Sequence, residues 1–202
     1  MKIAILILSV FSLLHIGCSI NISNDEFVPH LPLITQTGEN TFGCYINGVL
    51  VTPRDGTGSF NVEDKGMQFF AGPSSSDIKY HEIRVNDFAS DKTSKIRIHI
   101  RGLDSIGVGI YIVNKSNCQQ GFQSLPTHNI HGRVYDFNES IYKKYCSLPN
   151  SGTITITRYD NGILSGTFSC RAANEDDPND IVEITDGRFD LDLSRLQYED
   201  FP

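Results

Sequence analysis

The chain of 202 residues has no tryptophan, two methionines and a shortage of basic side chains, 17 Lys and Arg against 24 Asp and Glu, for a formal net charge of −7. That balance argues against a nucleic-acid binder, which needs a positive footprint. It argues equally against adhesion to an anionic bilayer by charge alone. After the first residues there is no apolar run approaching the roughly 20 residues of a membrane-spanning helix. There is also no sustained 3.6-residue apolar period, and no internal repeat of solenoid or propeller length. A hydrophobic content of 39% is enough for one ordinary core, which argues against disorder.

Motifs for catalysis are missing as well. Gly162-Ile163-Leu164-Ser165-Gly166 lacks the spacing of a nucleophile elbow. Gly107-Val108-Gly109 lacks the third glycine and the following helix of a dinucleotide site. Gly56-Thr57-Gly58 lacks the Lys-Ser/Thr of a phosphate loop. No paired C-x₂-C marks a zinc site, and His128 and His131, three residues apart without a clear third ligand, read as surface histidines. The acidic stretch Asn174–Asp180 offers oxygen ligands of the kind calcium takes. It lacks EF-hand spacing, however, and reads as a solvated turn. No cofactor and no metal are expected.

What is present begins at the N-terminus. Met1-Lys2 precedes an apolar run, Ile3 to Leu14, followed by Gly17-Cys18. This is the layout of a secretory signal ending in a lipobox, although His15 stands where that pattern prefers leucine. Residues 1–17 are therefore expected to be a lipoprotein signal peptide. Cys18 is the expected lipidation site and partner of the membrane, held durably by two or more acyl chains. Residues 18–34 read as a flexible tether, and 35–202 as a single domain.

That domain reads as strands throughout. Ile96, Ile98 and Ile100 alternate with Arg97, His99 and Arg101; Ile106, Val108, Ile110 and Ile112 share one parity; Ile154 and Ile156 alternate with threonines. Asn47-Gly48 and Asp186-Gly187 tolerate the positive φ of tight two-residue hairpins, Asp160-Asn161-Gly162 joins two strands in a longer hairpin, and Asn138-Glu139-Ser140 marks another reversal. About a dozen strands are expected, forming an all-β, antiparallel sandwich or barrel-like domain. Asp190 and Asp192 fall on the expected wet face of the last strand.

Four cysteines remain after Cys18, and in an exported chain they allow two disulfides with three connectivities. Strand parity turns both Cys44 and Cys170 inward, which favours Cys44–Cys170 and leaves Cys118 for Cys146. Buried free thiols are the alternative. The segment Arg133–Cys146 gathers Tyr135, Phe137, Tyr142 and Tyr145 with Lys143 and Lys144. Aromatics beside cations can form a platform for sugars or peptides; cross-strand packing is the plainer role.

Two stretches carry a family resemblance. TQTGENTFGC (Thr35–Cys44) continues to Asn47-Gly48, and SGTF (Ser165–Phe168) precedes ITDGRFD (Ile184–Asp190). With the Gly17-Cys18 lipobox, these resemble a family of small Bacteroidetes-type lipoproteins whose shared domain has no assigned function. The resemblance covers residues 35–50 and 151–190 closely and the middle of the chain loosely. It implies a lipid anchor, an all-β domain and no catalytic residues. In that lineage Asp104-Ser105-Ile106 resembles an O-glycosylation site, with Ser105 as acceptor. The expected protein is a Gram-negative cell-envelope lipoprotein, outer-membrane anchored and non-catalytic, that binds a protein or glycan, or plays an accessory structural role, and binds no nucleic acid. The alternative is an extracytoplasmic hydrolase with carboxylates on its loops.

Overall fold

The structure, a computed structural model, describes residues 27–59, 63–72, 80–119 and 127–202. Cys18 and the signal segment lie outside the described residues. Among the described residues, ten strands form one antiparallel sheet: β1 (Thr41–Ile46), β2 (Val49–Val51), β3 (Met67–Ala71), β4 (Tyr80–Asp87), β5 (Ser94–Arg101), β6 (Gly109–Val113), β7 (Asn129–Asp136), β8 (Ile141–Asp160), β9 (Ile163–Asn174) and β10 (Ile181–Asp192). A one-turn helix α1 (Leu103–Ile106) precedes β6, and a 3₁₀ turn (Leu196–Tyr198) follows β10. The strand order is β2-β1-β10-β9-β8-β7-β5-β4-β3, with β6 paired to the C-terminal half of β8. No helix among the described residues is long and apolar enough to cross a membrane.

The sheet curls into a half-barrel rather than splitting into a sandwich. Its two sides meet where the chain leaving β2 reaches β4. Arg54 N–H donates to the Asn86 carbonyl at 3.1 Å and Phe88 N–H donates to the Arg54 carbonyl at 3.0 Å. The Arg54 guanidinium grips Asp87 in a fork, Nε–Oδ1 2.7 Å and Nη2–Oδ2 2.8 Å, the geometry that makes such pairs strong. Within the curl, Phe42, Ile46, Ile83, Ile96, Ile98, Ile130, Ile154, Leu164, Phe189 and Leu191 form one core. The approach is close enough that a Cβ on Gly132 of β7 would stand 2.5 Å from Ile46 Cδ1 of β1.

The chain reverses where expected at three places, with Asp160 paired to Ile163 and so part of the ladder and not of the turn. Asn47-Gly48 (φ 50° and 76°) and Asn161-Gly162 (φ 47° and 79°) are two-residue hairpin turns, the left-handed pair that matches strand twist. Residues 137–140 reverse β7 into β8, pairing Asp136 with Ile141. Asp186-Gly187 differs: β10 runs straight through it, and the register with β9 slips between Ile184 and Gly187. The dipeptide is a bulge, not a hairpin. Pairing with β9 continues on both sides of it, so the left-handed Asp186 (φ 54°) only absorbs one extra residue. Glycine is required next to it because the Phe168 ring would lie 2.5 Å from a Cβ at 187.

Parity gives several other corrections. Ile110 and Ile112 do share a face of β6, but it is the exposed one, with Tyr111 and Val113 turned to the core; Ile106 and Val108 are exposed too. Arg97 and His99, on the face of β5 opposite its isoleucines, are buried, as is Asp190, expected on the wet face of β10. Leu31 and Pro32, near the end of the expected tether, lie against Gly43 of β1.

Cys118 and Cys146 form a disulfide across 28 residues, with Cα atoms 5.4 Å apart. Cys44 and Cys170 correct the other pairing: both are buried free thiols. Inward parity was read correctly, but β10 lies between β1 and β9. Strands two places apart are separated by about 9–10 Å, beyond the roughly 7 Å Cα limit of a disulfide. Burial raises the pKa of both thiols, that of Cys170 to about 12, so neither is a nucleophile near neutral pH.

Candidate functional site

The face of β4, β5, β7 and β8 that turns away from the core carries most of the buried polar chemistry. Ladder register assembles it in rows. Glu82 pairs with His99, Arg84 with Arg97, and Asn86 with Lys95. Arg97 pairs in turn with His131, and Lys95 with Arg133. On β8, His131 meets Cys146, Arg133 meets Lys144, and Tyr135 meets Tyr142. The period of two that sends the isoleucines of β5 inward collects its charged residues here.

At one end the rows close into a network. Glu82, fully buried, accepts a hydrogen bond from Tyr80 at 2.8 Å and from Arg84, and its Oε2 lies 2.6 Å from His99 Nε2. Burial by itself would raise the Glu82 pKa, but the bonds from His99, Arg84 and Tyr80 outweigh it and hold the carboxyl well below the usual range. Glu82 is thus a permanent anion, unsuited to donate a proton. His99 meets His131 edge-on at 5.4 Å. Burial, with His99, Arg97 and Lys144 nearby, pushes the His131 pKa down to about 3, so its imidazole stays neutral. His131 is therefore no surface histidine. His128, half-buried, lies edge-on to Tyr111 and accepts a hydrogen bond from the Arg101 amide.

Beyond this network lies a cavity of about 550 Å³ lined by Lys95, Arg97, His131, Arg133, Lys144 and the Cys118 end of the disulfide. Four of these side chains are cations, and no carboxylate lines the cavity among the described residues. Arg97 is 6% exposed. Its Nη1 donates to the Val85 and Ile96 carbonyls and its Nη2 to Asn86 Oδ1. Nε of Arg97 and Nε of Arg133 are buried without a hydrogen-bond partner among the described residues. Burial lowers the Lys95 pKa, and Arg133 and Arg97 lower it further, against a smaller pull from Asp64. Burial also brings Arg97 down to about 10, despite Glu82. Among the described residues, Lys144 alone of the four makes an ion pair, with Glu175 at 3.0 Å.

The disulfide sets one wall. It ties Cys118 to β8, and Ser116 anchors the same segment, its amide donating to the Ser147 carbonyl at 2.9 Å. Ser116 Oγ also lies 3.5 Å from His131 Nδ1. On the side away from the Glu82 network the face continues into aromatics. Tyr135 makes edge contacts with Phe137 at 5.1 Å and with Tyr142 at 5.2 Å. Lys92 lies 4.3 Å over Tyr135, and Arg133 4.4 Å over Tyr142.

The patch read from Arg133–Cys146 is therefore divided by parity. Tyr135, Phe137, Tyr142 and Lys144 come together, with Phe137 at 69% exposure. Tyr145 belongs to the core, 1% exposed, with its hydroxyl 3.3 Å from Asp180. Lys143 shares that other face, where Asp136, Glu139 and Asp180 lie within 2.7–3.3 Å of its ammonium and raise its pKa. It has no charge to spare for a partner. Asp180 is occupied in the same way, by Asn174, Tyr145 and Lys143, so the acidic turn serves its own packing. Ser105 is exposed on α1, while the neighbouring Asp104 accepts a 2.7 Å hydrogen bond from Tyr159. The cationic cavity itself was missed by the sequence reading. The cue was four basic residues of one parity on β5, β7 and β8, which takes on meaning only once those strands are known to be neighbours.

Comparison with protein-family models, with curated proteins and with solved structures finds no match for this chain.

Proposed function

We propose that this chain is a cell-envelope lipoprotein whose half-barrel is a non-catalytic binding module, held at the outer membrane through Cys18. The single observation that carries the binding role is the continuous face made by the cationic cavity and the Tyr135–Phe137–Tyr142 row, in a protein whose net charge is −7. Basic residues are scarce, so gathering them beside exposed aromatics is a local feature against the overall charge. Such a face suits a glycan or peptide with acidic groups. The anchor is supported by the Gly17-Cys18 lipobox and by the family resemblance. Ser105 remains the proposed O-glycan acceptor.

Two measurements test this reading. Cys18→Ser should move the protein to the soluble fraction and abolish fatty-acid labelling; retained labelling would exclude the anchor. Phe137→Ala with Tyr142→Ala should weaken capture of a partner cross-linked in the native envelope while leaving the thermal midpoint nearly unchanged. Turnover of a polysaccharide or peptide by the purified protein, abolished by one carboxylate substitution, would refute the binding role in favour of a hydrolase.

A further inference from the structure

We infer that the cavity between β5, β7 and β8 is a binding site for a dianionic phosphoryl group carried on a solute of sugar size. The inference rests on reading this face as the contact face, but it does not depend on the anchor or on a macromolecular partner.

Lys95, Arg97, Arg133 and Lys144 line one cavity with no carboxylate among the described lining residues. Placing like charges together in a partly desolvated space is unfavourable unless a counter-charge joins them. The neighbouring acids do little to supply one. Glu82 is occupied by Tyr80, Arg84 and His99, and Glu175 reaches Lys144 alone. Asp64 acts on Lys95, yet that lysine's pKa remains lowered.

The second observation is the pair of unsatisfied donors. Arg97 is more than nine-tenths buried, and its Nε has no partner among the described residues; the Nε atom of the half-buried Arg133 is likewise buried and without one. A buried N–H without an acceptor costs free energy, and an oxyanion in the cavity would accept from it. Guanidinium and ammonium donors together match the several oxygens of a phosphoryl group. Its double negative charge answers four cations better than a singly charged carboxylate or sulfate ester.

Size extends the argument. A cavity of about 550 Å³ exceeds what one phosphate fills and falls in the range of small-molecule sites. Its Arg133 wall continues into Tyr142, against which the guanidinium is stacked. That aromatic row gives an apolar edge for a sugar ring attached to the phosphoryl group.

The test is calorimetric titration of the detergent-solubilised full chain with inorganic phosphate, glucose 6-phosphate, glucose 6-sulfate and glucose. Glucose 6-phosphate should bind saturably and more tightly than phosphate, and phosphate should compete with it. Glucose should not bind, and affinity should fall with added salt. Lys95→Gln and Arg133→Gln should each weaken binding by about tenfold or more. The ligand-free variants should melt no lower than the parent, because each removes one of the crowded positive charges. A purely structural role for these residues would lower the midpoint instead and overturn the inference. So would absence of saturable binding, equal affinity in the variants, or a sulfate ester that binds as well as the phosphate ester. Binding to phosphatidylglycerol vesicles without binding to the soluble ester would also overturn it, in favour of a membrane surface.

Discussion

Asp190 and Ser165 face each other across the β9–β10 ladder, and the Ser165 hydroxyl donates to Asp190 Oδ1 at 2.6 Å. The same carboxylate accepts from the Gly38 amide at 2.9 Å, and on its other oxygen from Thr35 Oγ1 at 2.7 Å and the Thr37 amide at 2.9 Å. A single buried anion thus pins Thr35–Gly38 to the last two strands. This connects three motifs that lie far apart in the chain: TQTG, SGTF and ITDGRFD.

Asp190→Asn should destabilise the domain by about 2–4 kcal/mol, since an amide cannot accept at all these donors. Burial opposes ionisation of Asp190, but bonds from Ser165, Thr35, Gly38 and Thr37 prevail and bring its pKa down to about 2. A carboxyl depressed on folding contributes stability that is present above the unfolded value of about 3.9 and is lost as pH falls through the folded one. Urea midpoints between about pH 4 and pH 2 should fall for the parent and be flatter for Asp190→Asn.

His131 predicts a second pH window. Its pKa is lowered on folding, so only the unfolded chain takes up the proton as pH falls below about 6.5. Stability should therefore be full above that value and decline as pH falls from it towards about 3. His81 and His128 are also lowered by burial and act in the same direction. His131→Gln should flatten the denaturation midpoint between about pH 6.5 and pH 4. A parent that gains stability on acidification through this window would show His131 to be charged in the folded state.

The cysteines give a chemical test. Alkylation of the native oxidised protein should leave Cys44 and Cys170 unlabelled, and unfolding without reductant should expose both. Non-reducing peptide mapping should recover Cys118 joined to Cys146. Removing the bridge with Cys118→Ala and Cys146→Ala should cost about 3–4 kcal/mol for a loop of this length, read from the denaturant midpoint.

Two aromatics of the Arg133–Cys146 segment, one on β8 and one in the turn before it, should respond differently. Tyr145→Ala empties a core position and should lose about 3–5 kcal/mol. Phe137→Ser, in the exposed turn, should change stability by no more than about 0.5 kcal/mol. Chemical denaturation of the two variants side by side checks the division of the patch.

Much of this architecture was legible in local residues. Alternation in Ile96–Ile100 and Ile154–Ile156 marked β5 and β8, because a pleated strand facing one core must repeat every two residues. Asn47-Gly48 and Asn161-Gly162 marked hairpins because few dipeptides accept two successive left-handed conformations. Asp186-Gly187 has the same chemistry and became a bulge, since continued pairing with β9 on both sides, not the dipeptide, decides whether the chain turns.

Inward parity placed Cys44 and Cys170 in the core, but only the strand order, with β10 between them, decided that they stay unbridged. Parity likewise separated Arg97 and His99 from the isoleucines of β5 without saying that their own face would be buried. That depended on β4, β7 and the disulfide-held segment packing around them. Sequence alone determined which side chains share a face, a property of one strand's backbone geometry. The tertiary structure decided which faces become neighbours, and so whether a charge meets water, an opposite charge or, as in the cavity beside Arg97, other cations.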